Sequence, residues 1–438
     1  MVALQVVSIR ARAGLHNPAV PARDYTQVIT GVCLFVLMAF STLTVFVRSA
    51  WALQSFQVGV FALLAVYLLI GIRRKREQVA SGVTPWLVYL IPLWGCFQLV
   101  AHTTASTVET RESVLRWGAL AGVFFLSQIV ATTAKARRML LSAFLCFATA
   151  MAVLCLAQLF TSHGQVFWIV PSGYDEVYAT FPYYNNYAQF IELALPIALW
   201  RAMNEGWRSW WYAPAGGLLY ASVIGSATRS GTVLCTAELL AMLVIGLVKL
   251  RDPKMSRHSR STASMVLAVP VLAAAFTLAV GWEVVWLRLQ QSNPFQGRHA
   301  FLVAARNMAM QRPLTGYGLG TFPEIYQRYA IEDFPFYANH AHNDWAEFAA
   351  DGGIPFLLLV FIPFAACIPS AIRNPWGIGL TVVMIHACVD YPFPRPAVSS
   401  WMFFMLALLY MSGLQDGSRS REARRDTASN PPAQSWDL

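Results

Sequence analysis

The sequence predicts an all-α fold: a polytopic transmembrane helical bundle of about twelve spans, with a large, partly helical loop outside the cytoplasm between spans nine and ten. Three observations carry this. Hydrophobic residues make up 57% of the 438 and charged residues 12%, where an ordinary soluble domain carries about a quarter charged, and mean hydropathy is +0.49. Apolar runs of the length a bilayer core demands recur from Val28 to Met411, whereas a transmembrane barrel would alternate in short segments. The basic residues cluster in short turns between these runs, as cytoplasmic loops do.

In order, the spans read as 28–47, 54–72, 84–102, 115–132, 139–160, 187–203, 210–226, 231–248, 264–286, 353–371, 376–390 and 397–413. The first 26 residues are mixed and polar, with no small-residue cleavage site after the first apolar run, so that run reads as an anchor rather than a cleaved signal. With the N-terminus placed in the cytoplasm, 22 of the 32 Lys and Arg fall inside. Five of the ten outside lie in the one long loop, which the positive-inside rule weighs little. The expected organisation is 1–27 cytoplasmic, 28–286 spans one to nine, 287–352 an external catalytic loop, 353–413 spans ten to twelve, and 414–438 a disordered cytoplasmic tail.

The net charge of +10 sits in those short turns, so no nucleic-acid partner is expected. The seven cysteines all fall inside apolar spans without paired spacing and read as small core residues. No internal repeat stands out, which disfavours inverted-repeat transporters.

The chemistry-bearing residues are few. Arg229 lies in Ser226-Ala227-Thr228-Arg229-Ser230-Gly231, a short outer turn. It reads either as a snorkelling interfacial arginine or as an anion site, because small neighbours let a phosphate approach and a guanidinium binds it bidentately. Arg298 opens the amphipathic stretch Ala300–Met310, where a helix N-terminus adds affinity for phosphate; its bland reading is a solvated loop arginine. His340-Ala341-His342-Asn343-Asp344 leads to Glu347. The i, i+2 spacing lacks the geometry of a helical zinc site, so neither metal nor cofactor is expected. Two readings stand for this run: a general base whose tautomer Asn343 or Asp344 fixes, and a polar cap on the following helix. The entry Phe181-Pro182-Tyr183-Tyr184-Asn185-Asn186-Tyr187 suits either sugar binding or an aromatic belt with an Asn cap. His386 and Asp390, in a short apolar span, are either functional or a satisfied His–Asp pair between helices.

Together and in this order, these segments resemble the O-antigen ligase and O-antigen polymerase superfamily of bacterial inner-membrane glycosyltransferases. The resemblance runs over about residues 180–395. It rests on Asn185-Asn186-Tyr187-Ala188, Arg229, Gly297-Arg298, the run Arg312-Pro313-Leu314-Thr315-Gly316-Tyr317-Gly318-Leu319-Gly320-Thr321-Phe322, His340 to Trp345 with Gly352-Gly353-Ile354-Pro355, and Val389-Asp390. It implies metal-independent transfer of a glycan from an undecaprenyl-pyrophosphate carrier at the periplasmic face of the inner membrane, by a multi-pass protein with both termini inside. Carried over by position, Arg229 and Arg298 bind the pyrophosphate, and His342 activates the acceptor hydroxyl, with His340 a second candidate. Asn186, Asn343 and Tyr317 are expected to contact substrate, and Gly316, Gly318 and Gly320 to form a structural turn. The expected activity is O-antigen ligation with lipid A–core as acceptor. The alternatives are polymerisation onto a glycan acceptor, a lipid-linked glycan transporter and a non-catalytic scaffold.

Overall fold

The computed structural model describes residues 25–74, 82–172, 176–205, 209–251, 267–280, 290, 297–332, 334 and 337–429. Most of the expected N-terminal segment, most of the expected loop start between 287 and 296, and residues 430–438 lie outside the described residues. Among the described residues the protein is about 77% helical with almost no sheet. The helices are α1 Tyr25–Leu43, α2 Ala50–Arg74, α3 Val83–Val100, α4 Thr107–Val130, α5 Ala134–Thr161, α6 Tyr184–Asn204, α7 Ser209–Gly225, α8 Arg229–Leu250, α9 Ala268–Val280, α10 Arg298–Gln311, α11 Phe322–Tyr326, α12 Asp344–Ala366, α13 Ile368–Arg373, α14 Ile378–His386 and α15 Pro396–Ser429. A two-residue hairpin, β1 Gln165–Val166 with β2 Val170–Pro171, lies between α5 and α6.

Each expected span has a helix. Eight are long and apolar enough to cross a membrane by length and composition, and α9 and α14 are shorter apolar helices. The protein is a multi-pass membrane protein. Helix starts follow local chemistry: Ser106 accepts from Glu109 N at 3.4 Å and Thr133 from Ala136 N at 3.1 Å, each satisfying an orphan amide of a first turn. Helices α4 and α15 form the centre, with 72% and 78% of their spanning windows buried against 17% for α2. Trp117 of α4 packs edge-on against Phe348, Phe356 and Phe403, from α12 and α15. Prolines 92, 196, 214, 355 and 363 sit inside helices, as membrane bundles tolerate.

Two boundaries differ from expectation. Helix α12 begins at Asp344, not near 353, and bends at Gly353, whose φ is 74°. Helix α15 continues through Ser429, so the expected disordered tail is helical over 418–429. Arg, Glu and Ala there are good helix formers, no proline intervenes before Pro431, and the buried span has already supplied the helix nucleus.

The glycine-rich turn locks the polar segment onto that bend. Tyr317 N donates to Ala350 O at 3.1 Å, Gly318 N to Asp351 O at 2.8 Å and Ile354 N to Pro313 O at 2.8 Å. Gln98 of α3 stitches the same place, donating to Thr315 O at 2.6 Å and Asp351 O at 2.9 Å. A Cβ on Gly316 (φ 63°) would stand 2.3 Å from the Asp351 carbonyl, and one on Gly353 2.7 Å from that of Leu314, so both backbones need the absence of a side chain. Phe301, Ala304, Met308, Tyr317, Phe322 and Ile325 then close a small second core over this platform.

Candidate functional site

The site is assembled from three parts of the chain. The first is the pair of helix starts that carry the arginines. Arg229, half-buried, is the first residue of α8, and Thr228 caps it by accepting from Gly231 N at 3.3 Å. A Cβ on Gly231 would approach Ala188 at 2.4 Å, so the small residue lets α8 meet α6 closely. Thr228 Oγ1 also donates to Asn185 Oδ1 at 2.5 Å, Asn185 Nδ2 donates to the Tyr183 hydroxyl at 3.3 Å, and Arg298 Nη2 donates to that hydroxyl at 3.5 Å. One line of polar contacts therefore ties the start of α8 to Arg298, the first residue of α10. Both arginines stand at helix N-termini, where backbone amides and the dipole favour an anion.

The second part is the pair of histidines. His342 has φ 51°, a left-handed backbone that costs about 1–3 kcal/mol and is held in place by the two residues after it. Asn343 caps α12, accepting from Ala346 N at 3.0 Å and donating to Cys388 O at 2.7 Å. Asp344, fully buried, takes Phe393 N on Oδ2 at 3.0 Å, while its own amide donates to Ala387 O at 3.0 Å. The ring of His342 stacks on Phe301 with centroids 6.1 Å apart, and its Nδ1 lies 3.5 Å from Asp390 Oδ1, a long ion-pair contact rather than a short hydrogen bond. His340 makes a second dyad: its Nδ1 is 2.9 Å from Glu347 Oε1, and Glu347 Oε2 also accepts Ala341 N at 2.7 Å.

The third part is Tyr391, which stands between the two dyads. His340 stacks on its face at 4.4 Å, while His342 meets it edge-on at 4.9 Å. On the His340 side lies a cavity of about 460 Å³, lined among others by His340, Glu347, Arg116 and Arg395. Arg229, Arg298 and His342 do not line it. The i, i+2 spacing thus sends one histidine to the face of Tyr391 and the other to its edge.

Several sequence expectations change here. His386 pairs with Glu192, Nδ1 to Oε1 at 2.7 Å with both fully buried, rather than with Asp390, because Asp390 is turned to His342. Asn343 and Tyr317, expected to contact substrate, are both engaged by the protein. Asn343 is a helix cap. The Tyr317 hydroxyl donates to Gln311 Oε1 at 2.8 Å and meets that of Tyr329, with Arg312 over its ring at 4.4 Å. Asn186 is buried and donates to Gln189 Oε1 at 2.9 Å. Sequence reasoning named Tyr183 and Asn185 within the Phe181–Tyr187 entry without joining them to Arg298, passed over Tyr391, and linked neither Asp390 to His342 nor Glu347 to His340. The signal for the last was an acid seven residues on from a histidine; nothing in the sequence ties Asp390 to a residue 48 positions earlier.

No curated protein and no solved structure matches the chain significantly. Residues 214–362 match the O-antigen ligase family. That stretch, about a third of the chain, takes in Arg229, Arg298 and both histidines and stops short of Asp390, and it supports the resemblance to the O-antigen ligase and polymerase superfamily.

Proposed function

We propose that this protein is an O-antigen ligase-type glycosyltransferase. It moves a glycan from undecaprenyl pyrophosphate to an acceptor hydroxyl of lipid A–core, at the periplasmic face of the bacterial inner membrane. In this reading the chain crosses the membrane twelve times with both termini in the cytoplasm, and residues 287–352 face the periplasm. Nucleotide sugars are absent there, so the donor arrives on a lipid and leaves a pyrophosphate.

The observation that carries the reading is the continuous contact from Thr228 through Asn185 and Tyr183 to Arg298, with the His342–Asp390 dyad beside it. A departing pyrophosphate needs cationic groups already aimed at the developing charge; Arg229 and Arg298 at their helix starts supply them, so the transfer is metal-independent. The acceptor oxygen attacks the anomeric carbon and its proton passes to Nε2 of His342. The bond from that carbon to the pyrophosphate oxygen breaks, and undecaprenyl pyrophosphate retains the electron pair. Asp390 acts as a positioning residue: it holds the proton on Nδ1, leaves Nε2 as the acceptor and stabilises the imidazolium that forms. Attack opposite the leaving group inverts the anomeric centre. Asn186, Asn343 and Tyr317 support the walls through the protein groups they bind.

The test is transfer in vitro with purified protein, defined undecaprenyl-pyrophosphate glycan, and two rival acceptors, lipid A–core and a second lipid-linked repeat unit. Ligation by the wild type, and none by His342→Ala, Arg229→Ala or Arg298→Ala variants that insert and purify normally, is the expected result. Elongation of the repeat unit alone makes the protein a polymerase. Full activity in all three variants overturns the assignment.

A further inference from the structure

The cavity across Tyr391 has no part in the transfer just described, yet it has the construction of a binding site. Its volume of about 460 Å³ lies within the range of small-ligand pockets. Three arginines line it: Arg48, exposed, donates to Ser172 O at 3.2 Å, and the other two lie deeper. Arg116 sits in the third turn of α4, where the polar start of the helix with Glu109, Arg111 and Glu112 gives way to its apolar span. Arg395 lies in the connection between α14 and α15, its guanidinium 5.4 Å from the centre of the Tyr391 ring.

Among the described residues neither Arg116 nor Arg395 has a carboxylate within ion-pair distance. The Nε of each is shielded from solvent and lacks a hydrogen-bond partner. Unpaired buried guanidinium N–H groups are costly. Glu109, which lines the cavity, and Glu112 share the first turns of α4 with Arg116, but among the described residues neither forms an ion pair with it. Glu347 is committed to His340 and Ala341 N, and Asp351 Oδ2 accepts Gly320 N at 2.8 Å. The missing partner is an anion from outside the chain.

We infer that this cavity binds an anionic sugar, carrying phosphate or carboxylate, that belongs to the acceptor, with Arg116 and Arg395 gripping the anionic group. The connection to the acceptor rests on the proposed transfer; the anion site itself does not. Tyr391 links the two histidines: His340, stacked on its face, lines the cavity, and His342 meets its edge. An acceptor fixed by its charge beside His340 presents neighbouring hydroxyls toward the base at the edge of the same ring. The site therefore selects acceptors by a negative charge close to the accepting hydroxyl.

Binding is measured first, without turnover, on the purified full-length protein in detergent, with glucose 1-phosphate as probe and glucose as control. Arg116→Gln and Arg395→Gln should each weaken glucose 1-phosphate binding about tenfold or more, the loss of one charge-assisted contact. Glucose should bind no variant detectably, and Arg229→Ala with Arg298→Ala should leave the affinity unchanged. If Arg116→Gln fails to fold, judged by gel filtration and melting, Arg116→Lys and Arg395→Gln carry the test. Affinity that survives both Gln substitutions, or that disappears with Arg229 and Arg298 instead, overturns the site.

Steady-state transfer then tests its link to the acceptor. Arg395→Gln should raise KM for a phosphorylated acceptor about tenfold, with KM for the lipid-linked donor and for phosphatase-treated acceptor unchanged. A rise in donor KM instead assigns the cavity to the donor glycan and refutes the acceptor reading. Binding without any transfer by the wild type would remove the proposed function and leave the anion site standing.

Discussion

Replacing Asp390 by Asn removes one negative charge and few atoms, and so isolates what that charge does for His342. The contact is 3.5 Å long. At that distance unit charges interact by about 4.7 kcal/mol at an effective dielectric of 20 and about 1.2 kcal/mol in bulk water. Asp390 is fully buried but the His342 side chain is 24% exposed, so solvent screens part of the attraction and an intermediate value of about 3 kcal/mol applies. Since about 1.4 kcal/mol is tenfold, kcat for glycan transfer should fall roughly a hundredfold. KM for the donor should hold, because the imidazolium forms only as the proton is taken. The assay is transfer by purified variant and wild type across pH 5 to 9. A variant with kcat within threefold of wild type would refute the positioning role.

Arg298→Ala and Arg229→Ala should each lower kcat by about 10² to 10³, the scale of one preorganised charge-stabilising group, with membrane insertion unchanged by protease protection. Tyr183→Phe removes the hydroxyl shared by Arg298 and Asn185. At about 0.5–1.5 kcal/mol per hydrogen bond it should cost roughly two- to tenfold in kcat/KM, and a wild-type value would break the polar line between the arginines. Gly316→Ala places a Cβ 2.3 Å from the Asp351 carbonyl at φ 63° and should lower the melting temperature in detergent by several degrees, about 1–3 kcal/mol. Gly417→Ala, with open space around its Cβ inside helix α15, is the matched control and should not lower the melting temperature, since Ala is the better helix former.

The bundle was legible because apolar length and basic turns are properties of one segment at a time. The helix starts at Arg229 and Arg298 were legible for the same reason: small capping residues precede an apolar stretch. What escaped was pairing at a distance. Asp390 read as a partner for His386, four residues before it, because spacing along one helix is visible in a sequence. The contact of His386 with Glu192, 194 residues earlier, is not. Asn343 carried two readings with the same residue type, and only the amide of Ala346 above it distinguishes a cap from a ligand. Arg116 read as a residue at the outer end of a span, because the start of α4 at Thr107 is polar and invisible to hydropathy.

The amide of Asp344 is held by Ala387, and its carboxylate by the amide of Phe393. The segment carrying His342 is thus fastened to chain that is synthesised some forty residues later. A nascent protein that has threaded its first dozen helices still has a histidine without its acid and a cavity without Arg395. Under the proposed transfer, chemistry therefore waits until the chain beyond α14 has been made, so that the order of synthesis itself separates insertion from turnover.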